Sequence, residues 1–232
     1  MNYQVIVKLL SYDYKSATEK IGFTVAGILI ALWINRCDEG LKRRNLEEKS
    51  LKELYSALNS DHKDIKETLE GVEIDIYAVT RVRQFLKKEV PPFDSLRYFI
   101  PHTFAYTFHL ANTAAYETLK SRGLDLISND SLRLKITELY DVTYDYQKKS
   151  DDMDNLNFIN YVAPVRVKYF IKNPITRMLN SIDYQSIISD TTVLTAMDVQ
   201  SELYYRTREK YRSLDRAVMG VQRQIEAELK HF

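Results

Sequence analysis

The chain of 232 residues carries 33 Lys and Arg against 32 Asp and Glu, a formal charge of +1; so even a balance argues against a dedicated nucleic-acid binder, and no nucleic-acid partner is expected. An apolar fraction of 45% excludes a disordered chain, and six Gly with five Pro argue against a turn-rich all-β fold. The single cysteine, Cys37, excludes an internal disulfide or a multi-cysteine metal site.

After an N-terminal segment, residues 1–20, the first element is the uncharged run at 21–34. Ile21, Phe23, Val25, Gly27, Ile28, Leu29, Ile30, Leu32 and Trp33 make it apolar on every face, with Lys20 before it and Arg36 after it. As a helix it covers about 21 Å, short of a hydrocarbon core of about 30 Å. Snorkelling of Lys20 and Arg36, Trp33 at headgroup level and local thinning close that gap. The expectation is a transmembrane helix with the lipid bilayer as partner. A buried core helix is the main alternative; a signal peptide fits poorly, because no small-residue cleavage site follows.

Residues 35–90 read as one long amphipathic helix. Leu51, Leu58, Ile65, Val72, Val79 and Leu86 recur every seven residues, with Leu54 and Val82 three positions on. A seven-residue row stays on one side only when the helix packs along a partner. Asp61, Thr68 and Asp75 occupy the other expected core position and make the seam imperfect. Asp61-His62-Lys63-Asp64 reads as a solvated turn of a stalk. Gly71 marks a bend, and Pro91 and Pro92 end the helix.

Residues 91–232 read as a helical bundle domain packing on that helix. Residues 95–120 form a helix interrupted at Pro101, stopped by Gly123. Ser128, Asn129 or Asp130 caps the next, which continues past Tyr146 towards Ile159. Pro164 and Pro174 punctuate the chain, and residues 183–190 form a loop or short helix. A last helix, residues 192–230, repeats the seven-residue row at Met197, Tyr204, Tyr211, Val218 and Ile225. The fold class expected is all-α: a transmembrane helix running into a long charged helix, then an antiparallel bundle.

No residue pattern carries recognisable chemistry. None of the four histidines sits in H-E-x-x-H, and His102 and His109 read as imidazoles in an aromatic patch, sharing a helical face if Pro101 starts a helix. No glycine-rich phosphate loop or fixed Ser-His-Asp set is present. Catalytic residues, cofactor and metal are therefore expected to be none. Tyr140, Tyr144, Tyr204 and Tyr211, from a set of 17 tyrosines, read as lining helix seams. Cys37 reads as an incidental juxtamembrane thiol. Gly22 with Ala26, and Gly27 with Ala31, could let two spans approach.

The string Gly27-Ile28-Leu29-Ile30-Ala31-Leu32, then Ile34-Asn35 and Glu39, resembles the start of a family of bacterial single-span membrane proteins. These occur mainly in Bacteroidota and are filed as a domain of unknown function. Residues 113–123, Leu126-Ile127 and Leu139-Tyr140 fit the same family in outline. Two departures stand out: Cys37 replaces the expected tryptophan, and the basic N-terminal arm is thin. The resemblance implies the bacterial cytoplasmic membrane and supplies no function. Six basic residues follow the span within 20 positions against three before it, which favours a cytoplasmic domain. The family as a whole leans to a periplasmic one. Two classes remain open: a non-enzymatic sensing, scaffolding or partner-binding module, with a second copy or another membrane protein as candidate partner, and a membrane-tethered enzyme or effector with a pocket among the helices.

Overall fold

A computed structural model describes residues 3–88, 96–170 and 184–232, with side chains from residue 20 onward except at 96–97 and 184. Among the described residues the secondary structure is helical throughout, without strands. The chain is all-α. Pro91, Pro92 and Pro174, read as breaks, lie outside the described residues.

The first helix, α1, is Tyr3–Leu86, 84 residues. It has no proline, and a Cβ added at Gly22, Gly27, Gly40 or Gly71 would meet nothing within 4 Å. It closes where Lys88 turns into the left-handed region at φ 59°, and the Lys88 N–H returns to the Phe85 carbonyl at 2.9 Å. Two compact units are distinguished: Met1–Lys49 with Phe232, and Ser50–His231.

In the first unit, residues 20–46 are exposed throughout. Phe23 is 81% and Trp33 68% exposed, and the residues between them share that state. Among the described residues, this is the one helix long and apolar enough to span a membrane.

The second unit is a helical bundle. Helices α2 (Leu96–Thr103) and α3 (Ala114–Arg122) flank an irregular stretch, residues 104–113. This departs from the expected helix over 95–120. Pro101 neither starts nor breaks a helix; it lies inside α2, which ends two residues later. Gly123 stops α3 at φ 104°, and a Cβ there would sit 2.5 Å from Asp125 Oδ1. Asn129 caps α4 (Asp130–Thr137) by accepting from the Leu132 N–H at 3.1 Å.

The chain then stays helical as far as Tyr169. A π turn (Glu138–Thr143), α5 (Tyr144–Asn157), a second π turn (Phe158–Val162) and α6 (Ala163–Tyr169) follow without a gap. Pro164 therefore does not interrupt the run. It sits in the first turn of α6, where a missing N–H is tolerated. Helix α7 is Tyr184–Ser189, and α8 is Thr191–Leu229. Asp190 caps α8 and also receives Lys168 Nζ at 2.8 Å and Tyr169 Oη at 2.6 Å, which ties α6 to the start of α8. Lys168 chiefly holds the Asp190 carboxyl below its ordinary range.

Helices α1 and α8 pair antiparallel within this unit. Asn59 meets Gln222, His62 meets Asp215, Glu73 meets Arg212 and Arg83 meets Asp198, so position rises along α1 as it falls along α8. Leu51, Leu58 and Ile65 share one apolar cluster with Tyr211, Val218 and Ile225. Val72, Val79 and Leu86 share the other with Met197 and Tyr204. All of these side chains are buried, and the α4–α6 run packs on α8 to complete the bundle.

Candidate functional site

The acids at the imperfect positions of the α1 seam are buried, Asp61 to 1% and Asp75 to 5% exposure. Of residues 61–64, then, only Lys63 and Asp64 are solvated; Asp61 is not. His62 is also drawn inward, with Nδ1 2.6 Å from Asp215 Oδ1 of α8. The reason lies in residues 104–113. An irregular segment has backbone groups that no helix satisfies, and partners must come from elsewhere. Asp61 Oδ1 accepts the Asn112 N–H at 2.9 Å. Tyr204 Oη of α8 lies 2.6 Å from the His102 carbonyl and 2.9 Å from the Ala105 carbonyl, and Gln200 Nε2 donates to the latter at 2.8 Å. Tyr106 Oη reaches back to the Asp151 carbonyl at 2.6 Å.

Around Asp61 the groups converge from four directions. Tyr144 Oη donates to Asp61 Oδ2 at 2.5 Å. Burial first, and the Asp61 charge second, push the Tyr144 phenol far above its ordinary value. Tyr140, in the π turn, packs edge-on against Tyr144 and stacks on Tyr116 of α3 at 4.4 Å and 7°. Tyr116 donates to Asp141 at 2.8 Å, and burial lifts its phenol to about 12. His109 lies with Nε2 4.0 Å from Asp61 Oδ1, its side chain 3% exposed. Neither His109 Nε2 nor the Tyr140 hydroxyl has a hydrogen-bond partner. A cleft of about 440 Å³ opens alongside, lined by His109, Leu110, Tyr140, Tyr144 and Lys148 among others.

One heptad pair further along, Asp75 Oδ1 lies 3.0 Å from His102 Nδ1. Burial raises the Asp75 carboxyl, and His102 partly offsets this. Between α5 and α8 sits a third polar group. Lys210 Nζ bonds Asp151 at 2.5 Å and Asp154 at 2.9 Å, and Arg206 bonds Asp154 at 2.8 Å. Gln147 and Tyr211 donate to Asp151 as well, at 3.0 and 3.2 Å. The carboxylates are therefore nearly saturated, which is what allows them to be buried.

The residues singled out for the membrane span are all exposed and lie outside this site, as does Cys37. Of the seam residues, Tyr204 and Tyr211 enter it directly. His102 and His109 do not share a helical face: the first ends α2 and the second lies in the irregular stretch. Sequence reasoning missed Asp61 and Asp75 as seats for these two histidines, although their place in the apolar row was the available signal. It also missed the spacing Glu228-x-x-His231, yet among the described residues no three His, Cys, Asp or Glu side chains group to hold a metal.

No curated protein and no solved structure matches the chain. The model of a family of unknown function matches residues 20–199, taking in the apolar helix, α2 with His102, the irregular stretch with His109, and the start of α8. The chain belongs to the DUF6090 family of unknown function.

Proposed function

We propose that the chain is a single-pass protein of a bacterial cytoplasmic membrane whose helical unit is a non-enzymatic, partner-binding module. One observation carries the reading: the uncharged apolar run, residues 21–34, is exposed at every position and long and apolar enough, with its flanks, to span a membrane. The alternative of a buried core helix asks for the opposite. Partner binding draws support from a second row on the outer face of the π turn and α5. Val142, Tyr146, Met153 and Leu156 are each more than half exposed and fall at three- and four-residue spacing or multiples of it. The family resemblance favours a periplasmic domain over the cytoplasmic one that the flanking charges favour.

The test is extraction of membranes carrying the full chain. Retention through alkaline carbonate and molar salt, with release by detergent, is expected; release by salt alone defeats the reading. Cys37, exposed just past the span, reports the side. A membrane-impermeant thiol reagent labels it in intact cells if the domain is periplasmic, and only after lysis if it is not. A second reading, a tethered enzyme, draws on the carboxylate, imidazole and phenols around Asp61. Against it, His109 Nε2 and the Tyr140 hydroxyl are sealed from solvent. A substrate would have to open the segment to reach them.

A further inference from the structure

Of the contacts that hold residues 104–113 and the turn before them, two pair a histidine with an acid of the α1 seam. At one end His102 Nδ1 is hydrogen-bonded to Asp75 at 3.0 Å, its side chain 34% exposed. At the other, His109 is sealed at 3% exposure against Asp61 at 1%, and the facing atoms stand 4.0 Å apart. That distance is too long for a hydrogen bond. Nε2 is left as a buried polar atom without a partner, and native chains seldom tolerate one.

An N–H at Nε2 faces the carboxylate in the neutral Nε2–H tautomer and in the imidazolium alike, but only the imidazolium adds the positive charge that draws the ring onto an acid already within ion-pair reach. The facing oxygen, Asp61 Oδ1, also accepts the Asn112 N–H at 2.9 Å, so it holds the same segment twice when the imidazolium closes on it. Asp61 comes from α1, Glu117 from α3, Tyr140 from the π turn, Tyr144, Asp145 and Lys148 from α5, and Tyr211 from α8. Among the described residues, Asp61 is the one acid that reaches the imidazole within 4.0 Å. Its second oxygen is already held by Tyr144.

We propose that His109 is a proton-operated latch. Uptake of a proton on acidification draws the imidazolium onto Asp61 and fastens residues 104–113 to α1. Loss of that proton removes the charge and leaves the segment held more loosely. The latch has something to control. Phe108 and Leu110, on either side of His109, are 54% and 78% exposed, so the buried imidazole fixes where this apolar pair is presented.

The test uses the full chain in detergent micelles. The imidazole resonances are titrated by NMR, and amide-exchange protection factors of residues 105–112 are measured at pH 7.5 and 5.5. In the unsubstituted chain, protection rises about tenfold on acidification, the scale of one charge-assisted hydrogen bond. His109→Gln abolishes the rise, and His102→Gln keeps it. If His109→Gln loses helix content, His109→Asn takes its place. Three results overturn the latch. One is a His109 imidazole that takes up no proton before helix content falls. Another is protection that does not change with pH. The third is a rise that survives unchanged in the His109 variant.

Discussion

Raising the pH loads the phenols of this bundle in a way that can be worked through. Tyr140, Tyr144, Tyr204 and Tyr211 are each at most 6% exposed. Burial, followed by the nearby acid (Asp61 for the first two, Asp75 for Tyr204 and Asp151 for Tyr211), holds all four phenols far above their ordinary value. In the unfolded chain the same phenols ionise near pH 10. A folded pKa raised above the unfolded one gives stability that is whole below about pH 10 and falls as the pH rises through it. At pH 11 each phenol costs the fold about 1.4 kcal/mol, and the four together about 5–6 kcal/mol. A domain of this kind holds about 5–15 kcal/mol in total, so alkali alone should bring it to the edge of unfolding. The assay is urea unfolding followed by circular dichroism between pH 9 and 11, with phenolate absorbance recorded in parallel. The midpoint should fall steeply above about pH 10, and late phenolate formation should coincide with loss of helix. Tyr140→Phe removes a hydroxyl that bonds nothing, so it should leave neutral stability equal or higher and reduce the alkaline slope by about a quarter. A midpoint that stays level from pH 9 to 11 would refute the reasoning, as would full phenolate formation with the helix intact.

The remaining predictions concern the buried carboxylates and the glycines. Asp61→Ala strands the Asn112 N–H and the Tyr144 hydroxyl and should cost about 2–4 kcal/mol in urea unfolding. A loss under 1 kcal/mol would mean that water replaces the carboxylate at little cost. Lys210→Met leaves Asp151 and Asp154 without their shared cation and should cost about 3–5 kcal/mol. Arg206→Ala, at a half-exposed side chain on the same Asp154, should cost about 1 kcal/mol or less. Gly71→Ala, in open helix, should stabilise by about 1 kcal/mol, whereas Gly123→Ala should destabilise, because its φ of 104° and Asp125 both reject a Cβ.

Much of the fold is written in the period of the sequence. The rows through Leu51 and Leu86 on α1, and through Met197 and Ile225 on α8, are seven-residue repeats, and such repeats survive whatever the rest of the chain does. Asn129 and Gly123 mark helix ends through local chemistry that needs no partner. The irregular stretch was not legible, because residues 104–113 include Phe104, Phe108, Ala111 and Leu119 beyond them at spacings a helix also satisfies. What unravels it is tertiary. Asp61, Tyr204 and Gln200 offer its backbone an alternative to helical bonds, and they come from 50 or more residues away in the chain. Pro164 misled for the reverse reason: it reads as a break, yet the π turn before it places the ring where no N–H is required. The site was half visible. The acids stood out as faults in the seam, but a fault and a buried partner look alike until the histidines are placed.

A different set of polar pairs bears on why the two long helices meet in one register. Sliding α8 by seven residues along α1 would still set apolar side chains against apolar side chains, since both rows repeat at that interval. Hydrophobic burial alone therefore separates the alternatives poorly. The polar pairs do not repeat. After such a slip Asp215 no longer faces His62, and Tyr204, carried along with α8, no longer reaches the carbonyls of His102 and Ala105. Each unpaired group would then be buried at a cost of about 1–3 kcal/mol, more for a charge. The polar pairs along the two helices thus act as an address, which is the best-attested use of buried polar groups between helices. Replacing His62 and Asp215 together by leucine, with Tyr204→Phe, should accordingly keep helix content while splitting the amide resonances of the α1–α8 seam into more than one set. A single unshifted set would show that packing of the apolar rows fixes the register unaided.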